Sequence, residues 1–133
     1  MKLTDFDFRI WNNTKKEYLC TNPTLAKLNG EGIVSGSLHR QFSKDEDYFY
    51  QVFRNELELE LWTGLYDAND KKIYEGDIVN LADFDGTIMR LVANIDFEEG
   101  IKLGGLRLIY IDESLLEDIE IIGNIHENKD LLE

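Results

Sequence analysis

The sequence has 133 residues, of which 43% are apolar and 11% aromatic, and its formal net charge is −13. A chain of this length can bury a core without a metal or a disulfide, and its one cysteine, Cys20, cannot form an internal disulfide. The 27 acidic residues against 14 basic ones disfavour direct binding to nucleic acid, because phosphate binding depends on clustered lysine and arginine.

We expect no membrane contact and a cytoplasmic location. No apolar run approaches the roughly 18 residues that a membrane span needs. The N-terminus lacks the apolar stretch of a secretory signal. A lone cysteine also agrees with a reducing compartment.

The first predicted element is a β-hairpin. Apolar and polar residues alternate from Phe6 to Trp11, which is the period of a half-buried strand. Asn12-Asn13 is a turn signal, Glu17 to Cys20 is the second strand, and Asn22-Pro23 ends the hairpin.

The segment that follows gives weaker signals. Thr24 to Gly36 is interpreted as a single helical turn that holds Leu25 and Leu28. Much of Gly30 to Asp47 is expected to be irregular because it is rich in glycine and charge. Tyr48 to Phe53 fits either a strand or a short helix.

A longer strand is predicted to begin at Leu57. Leucines 57, 59 and 61 alternate with Glu58, Glu60 and Trp62, so the leucines are expected on the core face. Thr63-Gly64 breaks this run, and Asp67 to Asp70 is a polar turn. Gly76-Asp77 then introduces the apolar pair Ile78-Val79.

Short apolar runs occupy the rest of the chain. The predicted strands are Ile78 to Ala82, Thr87 to Ile95, Ile101 to Leu103 with Leu106 to Ile111, and Ile119 to Ile125. Gly104-Gly105 is expected to bulge or bend a strand, and Glu127 to Leu132 to form a last helical turn capped by Asn128.

These elements predict an all-β fold with minor helix. Closely spaced short strands favour a small barrel, because closure removes exposed sheet edges. We expect one domain over 1–133, made of a hairpin and irregular segment (1–56), an SH3-like barrel (57–126) and a tail (127–133).

Three segments resemble the YopX-like proteins of bacteriophages and prophages. Thr63 to Asp67 and Ile73 to Val79 are similar to that family's "YTGLKD.NGK.IYEGDIV" signature. Phe8 to Trp11 is similar to its "FRAWD" opening, and Ile121 to Leu132 to its "VIGNIYENPELL" closing. The sequence departs from the family pattern at Asn12 (usually aspartate), Asp70 (a turn glycine) and Lys129 (proline).

The resemblance implies a phage or prophage accessory protein of undetermined activity in the bacterial cytoplasm, with no catalytic residues to carry over. The signature residues are Thr63, Gly64, Leu65, Asp67, Ile73, Tyr74, Glu75, Gly76, Asp77, Ile78, Val79, Ile122, Gly123, Asn124, Glu127 and Asn128. We interpret the stretch from Trp62 to Val79 mainly as a folding element. Its glycine and isoleucine positions are expected to matter for stability. Replacement of Asp67 or Glu75 is expected to be mild if these carboxylates serve only in turns or on the surface, and to abolish function at unchanged stability if they are catalytic or ligand-binding.

The catalytic and metal-binding templates do not fit the sequence. The glycines from Gly30 to Gly36 miss the dinucleotide-binding spacing, and Ser35 lacks the Gly-x-Ser-x-Gly elbow. His126, Glu127 and Asp130 lack a second histidine and are interpreted as surface residues. We therefore expect neither enzymatic activity nor a cofactor or metal.

Three hypotheses about function remain, two of them for binding proteins and one for an enzyme. The preferred one is protein–protein contact, either self-association as a homo-oligomer or engagement of a host or phage protein, with Trp62 and Tyr66 as the candidate contact residues. One alternative is an acidic DNA mimic that inhibits a host nucleic-acid-binding protein. The other is a small enzyme with an unrecognised pocket.

Overall fold

The computed structural model describes residues 2, 5–19, 24–28, 31–35, 49–51 and 57–132, and in the strands within 24–51 it describes the backbone alone. The strands of this part are β1 (Phe8–Asn12), β2 (Glu17–Tyr18), β3 (Thr24–Leu28), β4 (Glu31–Ser35), β5 (Phe49–Gln51), β6 (Leu57–Tyr66), β7 (Lys72–Tyr74), β8 (Asp77–Ala82), β9 (Ile88–Asp96), β10 (Gly100–Leu103), β11 (Leu106–Arg107) and β12 (Glu120–Asn124). One α-helix, α1 (Glu113–Leu116), and 3₁₀ turns at Leu108–Tyr110 and Lys129–Leu132 accompany them.

The predicted fold class is confirmed. The protein is all-β with minor helix, and its curled sheets are consistent with a small barrel. Among the described residues, no helix is both long and apolar enough to cross a membrane.

The chain divides into two compact units, one of residues Arg9–Glu60 and one of Met1–Phe8 with Leu61–Glu133. We call them the 9–60 unit and the 61–133 unit. Strand β6 runs from one into the other. The expectation of one domain with boundaries after 56 and 126 stays a prediction.

The 9–60 unit contains the predicted N-terminal hairpin. Strands β1 and β2 are antiparallel, with Trp11 opposite Tyr18 and Asn12 opposite Glu17. The side-chain oxygen of Asn12 accepts hydrogen bonds from the backbone N–H groups of Thr14 (2.9 Å) and Lys15 (3.1 Å), which fixes the turn between the strands. The turn signal in the sequence is therefore confirmed.

The interpretation of Thr24 to Gly36 as a helical turn is wrong. Strands β3 and β4 pair antiparallel from Thr24 opposite Ser35 to Leu28 opposite Glu31, and β5 pairs with β4. Residues 31–35 are thus a strand and not irregular, and residues 36–47 of that expectation lie outside the described part. Tyr48 to Phe53 fitted either a strand or a short helix, and the structure has a strand there, β5, at residues 49–51.

The start of β6 also departs from the predicted alternation. Leu59 is 45% exposed, whereas Glu60 is only 6% exposed. The Nε of Arg9 donates to Glu60 Oε1 at 2.7 Å, and the hydroxyl of Tyr18 donates to the same oxygen at 2.9 Å. A buried carboxylate is tolerated when it is paired and hydrogen-bonded, so these two partners draw Glu60 inward and leave Leu59 outside.

The 61–133 unit is built on a five-stranded antiparallel sheet with the strand order β11-β10-β9-β8-β12. Strands β8, β9 and β12 begin and end within one or two residues of the predicted runs. The main core cluster consists of the buried residues Ile73, Val79, Leu81, Ala93, Leu103 and Ile119, and Ile78 in β8 is also completely buried. Strand β7, which pairs with the second half of β6, contributes Ile73 to this core.

Two expectations about the later part of the chain are corrected. Gly104 and Gly105 form the two-residue turn of the β10–β11 hairpin, where Leu103 lies opposite Leu106, so they neither bulge nor bend a strand. The strand expected over Leu106 to Ile111 ends at Arg107, because the backbone winds into the 3₁₀ turn at Leu108–Tyr110 before α1 begins.

The expected last helical turn is the 3₁₀ turn at Lys129–Leu132. Asn128 has a different role from the expected cap. Its side-chain oxygen accepts from the backbone N–H of Asn124 at 3.1 Å and so closes the preceding turn.

Candidate functional site

The signature residues from Thr63 to Val79 lie along β6, β7 and β8 and in the turns that join them. The hydroxyl of Thr63, which is buried, donates to the carbonyl oxygen of Ile73 at 2.7 Å and accepts from the N–H of Leu65 at 3.2 Å. This replaces ladder bonds at the irregularity in the β6–β7 pairing, between Trp62 and Tyr66. The threonine thus satisfies backbone groups that the irregular register leaves without a strand partner.

The side chain of Asp67 is buried. This residue is 5% exposed, and of the signature carboxylates Asp77 is still more buried. Asp67 Oδ1 accepts from the N–H groups of Asn69 (2.8 Å) and Lys71 (2.9 Å), and its Oδ2 accepts from the N–H of Ile121 at 3.2 Å. Burial raises the pKa of Asp67, but these backbone hydrogen bonds outweigh it and leave the pKa below its usual value. Asp67 therefore ties the turn after β6 to strand β12.

Glu75 and Asp77 serve the next turn in the same way. Glu75 Oε1 accepts from the N–H of Leu61 at 2.9 Å, and Asp77 Oδ2 accepts from the N–H of Tyr74 at 2.8 Å. Between them, Gly76 has a φ of 87°, a conformation that a side chain strains. Its N–H donates to the carbonyl oxygen of Ala93 at 2.9 Å, so this turn is fastened to β9.

The closing signature forms a second compact turn. Asn124 Oδ1 accepts from the N–H groups of His126 and Glu127, both at 3.0 Å, while Asn124 Nδ2 donates to Glu127 Oε1 at 2.9 Å. At Gly123, a Cβ would lie 2.5 Å from Asn128 Oδ1, which explains why a glycine stands there. In both parts of the signature, the polar side chains hold the backbone, as expected of a folding element.

Asp70 has a φ of 62°, in the left-handed region where glycine is the ordinary residue. This position is one where the sequence departs from the family pattern, which has glycine. We expect Asp70→Gly to raise the free energy of unfolding by about 0.5 kcal/mol, since aspartate tolerates this region but less well than glycine. Urea denaturation measures it, with Asn69→Gly as the matched control; a loss of stability at Asp70→Gly would contradict the strain.

The two candidate contact residues, Trp62 and Tyr66, are adjacent but differ in exposure. Trp62 is half-buried, and its Nε1 donates to the carbonyl oxygen of Leu65 at 3.0 Å. Its ring meets that of Tyr66 edge to face at 5.4 Å, and the Nζ of Lys72 lies 4.5 Å from its centre. Tyr66 is half exposed. Of the pair, Tyr66 presents the larger free surface, and their contact role stays a prediction.

An apolar groove in the 61–133 unit was not predicted from the sequence. It has a volume of about 500 Å³ and is open to solvent. Its inner side consists of Leu81, Met89 and Leu115, which pack on the core. Its outer side is formed by Phe84, Ile109 and Tyr110, which are 76%, 70% and 74% exposed.

Two turns position the outer side of the groove. Phe84 lies in the β8–β9 turn, where Asp83 Oδ1 accepts from the N–H groups of Asp85 (3.1 Å) and Thr87 (3.0 Å). Ile109 and Tyr110 lie in the 3₁₀ turn at Leu108–Tyr110. Local backbone bonds thus hold large apolar side chains in water at two separate points of the chain.

The charged side chains that line the groove are both acidic. Asp83 lies in the β8–β9 turn, and Asp112 caps α1 by accepting from the N–H (2.9 Å) and hydroxyl (2.7 Å) of Ser114. These two hydrogen bonds lower the pKa of Asp112. Hydrogen bonds with Asp83 and Thr87 lower the pKa of the neighbouring Asp85 to about 2. The rim of the groove is therefore negative at neutral pH.

The groove has the composition of a contact surface. Large apolar side chains surround it, and its carboxylates are engaged in turn and cap bonds. Within the described part of the chain, no three His, Cys, Asp or Glu residues are placed to hold a metal ion.

The comparisons agree with the fold. A model of the family described as "YopX protein" matches residues 7–133. The crystal structure of protein EF1440 from Enterococcus faecalis is similar to this chain with a TM-score of 0.56 and 22% sequence identity, and the match covers 96% of this chain and 98% of that one. Among curated proteins, none matches significantly. Because the family model spans nearly the whole sequence, the chain belongs to the YopX family.

Proposed function

We propose that this protein is a non-enzymatic phage or prophage accessory protein that acts in the bacterial cytoplasm by contact with another protein, and that the apolar groove is its contact surface. The observation that carries this proposal is the exposure of Phe84, Ile109 and Tyr110 around one concave site. Clustered apolar side chains in water are unfavourable and mark interaction sites in soluble proteins.

The signature and the groove are proposed to have different roles, the signature in stabilising the fold and the groove in binding. Asp67, Glu75 and Asp77 accept hydrogen bonds from backbone N–H groups, which is what a fold-stabilising motif requires. The groove residues, by contrast, lie outside the signature. The groove side chains are therefore not needed for the backbone hydrogen bonds of the signature, and they remain available for contact with a partner.

The proposal is tested by photo-crosslinking in the bacterium that carries the gene. A photoreactive phenylalanine analogue is placed at Tyr110 in the groove or, as the control, at Phe97, which is fully exposed and lies outside it. We expect a discrete adduct heavier than the protein alone from position 110 and none from position 97. Absence of any adduct at 110, or the same adducts from both positions, would contradict contact through the groove.

We also propose self-association, with Tyr66 as its contact residue because half of this side chain is exposed beside Trp62. Light scattering coupled to size exclusion should give a mass of at least twice 15.5 kDa at micromolar concentration. The salt concentration should be about 0.15 M, since salt screens repulsion between acidic subunits. Tyr66→Ala should lower the mass, and Phe97→Ala should not. A constant 15.5 kDa for the wild-type protein would rule the oligomer out.

A further inference from the structure

We propose that the groove takes a short basic amphipathic segment of another protein, with large apolar side chains seated in the groove and lysine or arginine beside the acidic rim. This inference rests on the proposed function, because it names the class of partner for the same surface. It is carried by two properties of the groove, its apolar lining and the sign of its charge.

The apolar lining defines what enters the groove. The inner residues Leu81, Met89 and Leu115 are continuous with the core, so an inserted side chain meets carbon on that side. The outer residues Ile109 and Tyr110 are mostly exposed and offer apolar surface on the other side. A cavity of about 500 Å³ accepts a few large side chains, which is how a single amphipathic segment binds a groove.

The charge of the rim selects the flanks of the segment. Asp83 and Asp112 are the charged residues of the lining, and from Tyr110 to Glu120 the sequence has five carboxylate side chains and no basic one. Arg107 is a cation beside the groove, and its guanidinium lies 5.2 Å from the centre of the Tyr110 ring. Its Nε is 3.7 Å from Glu99 Oε2, and Glu99 Oε1 is also 3.5 Å from Lys102 Nζ, so Arg107 belongs to a small ion-pair cluster outside the groove lining. Lysine or arginine on the ligand complements this rim.

The same charge argues against a second copy of the chain as the occupant. The chain has 27 acidic residues against 14 basic ones, so a second copy offers few cations to set beside Asp83 and Asp112 in the groove, whatever other surface joins two copies. Like charges across an interface disfavour the pairing and are screened only partly at physiological salt. A basic segment, by contrast, is attracted by the negative charges of Asp83 and Asp112.

Three synthetic peptides serve as probes of the occupant. The first is a fluorescent 14-residue amphipathic peptide of leucine and lysine. The second replaces each lysine by glutamate, and the third replaces each leucine by serine and keeps the lysines. At about 0.15 M salt, we expect saturable binding of the first peptide in fluorescence anisotropy, and binding at least tenfold weaker for the other two.

Two pairs of protein variants assign this binding to the groove. Ile109→Asp should weaken binding of the leucine-lysine peptide about tenfold, although it adds a negative charge, whereas Phe97→Asp adds the same charge outside the groove and should not weaken it. Asp83→Asn with Asp112→Asn should weaken binding severalfold, and Asp96→Asn with Asp130→Asn should not. Asparagine keeps a hydrogen-bond acceptor at Asp83, Asp96 and Asp112, whereas Asp130, Ile109 and Phe97 are exposed, so all four proteins are expected to fold.

The outcomes separate this inference from the proposed function. If the leucine-lysine peptide does not bind, or binds Ile109→Asp as tightly as the wild type, the inference is overturned. It is also overturned if the glutamate peptide binds equally well, or if Ile109→Asp converts a dimer to a monomer, which would make a second copy the occupant. Because photo-crosslinking at position 110 reports contact with any protein, an adduct there alongside a failed peptide experiment would leave the proposed function standing and remove the basic segment.

Discussion

Replacement of Asp67 by alanine is expected to lower the free energy of unfolding by about 3 kcal/mol, because it removes a buried acceptor of three backbone hydrogen bonds. The N–H groups of Asn69, Lys71 and Ile121 would then lack their partner in a protected site. Charge-assisted bonds of this kind are among the strongest single contributions to stability. Urea denaturation measures the change.

Asp130→Ala is the matched control for this effect, since Asp130 is exposed and should change stability by no more than about 0.5 kcal/mol. The sequence alone led to the expectation that Asp67→Ala is mild, on the assumption of a surface turn. Its burial and its bond to β12 reverse that expectation. Equal midpoints for the Asp67 and Asp130 variants would show that the bonds to Asp67 contribute nothing.

The second large effect is expected at Ile78, which is completely buried in β8. Ile78→Ala should cost about 3 kcal/mol, since truncation of a buried isoleucine loses its burial energy and leaves a cavity. The matched control is Ile88→Ala on the adjacent strand β9, where the side chain is largely exposed and the expected cost is below about 0.5 kcal/mol. Similar costs at the two positions in urea denaturation would contradict the assigned core.

The stability of the protein should fall in acid for a defined reason. For Asp7, burial raises the pKa, but hydrogen bonds from Lys72 and Tyr74 outweigh it, and Asp67 is lowered by backbone bonds that outweigh its burial. A carboxyl whose pKa is lower in the folded state stabilises the fold above its unfolded pKa, near the ordinary value of 3.8. That stabilisation is lost as the pH falls through the folded pKa.

Denaturation midpoints measured between pH 7 and pH 2.5 test this dependence. The wild-type midpoint should decline mainly below about pH 4. Asp67→Asn cannot ionise at this position, so its midpoint should start lower and decline less steeply. Parallel curves for the two proteins would show that ionisation of Asp67 is not linked to folding.

The sequence predicted the strands whose apolar pattern is local. Runs such as Ile78 to Ala82 and Thr87 to Ile95 coincide with β8 and β9, because both strands belong to one hairpin and their core-facing residues recur along the run. The sequence also predicted the positive φ of Gly76 correctly, since its position in a turn suggested that conformation, whereas the role of the signature as a folding element stays a prediction.

The alternation at β6 failed because its cause is distant in sequence. The pattern of leucine and glutamate from Leu57 to Leu61 places every glutamate outside, yet Glu60 is buried by Arg9, which is 51 positions earlier. The alternation of residues along one strand carries no information about an ion pair with another strand. Only the arrangement of β1 beside β6 reveals it.

The hairpin of β3 and β4 has a local signal in the sequence. Between Leu28 and Glu31, which pair in the β3–β4 ladder, the sequence has Asn29-Gly30. Asparagine-glycine is the strongest two-residue hairpin signal, and it outweighs the helical spacing of two leucines.

The groove could not be predicted from the sequence, because its lining residues come from segments that are far apart in the chain. Ile109 and Tyr110 read as part of an apolar strand, and only the 3₁₀ turn at Leu108–Tyr110 places them in solvent. Phe84 reaches the same site from the β8–β9 turn. Apolar residues predict burial on average, so exposed ones become informative only when the fold is known.

We infer that the groove is a surface left free for a partner, and the unfolding free energy of the double variant Ile109→Asp with Tyr110→Asp measures whether its outer side chains pack against the protein itself. Urea denaturation should give a value within about 0.5 kcal/mol of the wild type, because side chains that are mostly exposed contribute little to folding. A loss of 2 kcal/mol or more, on the order of that for a core truncation, would show that the protein packs these residues against itself and would contradict the claim.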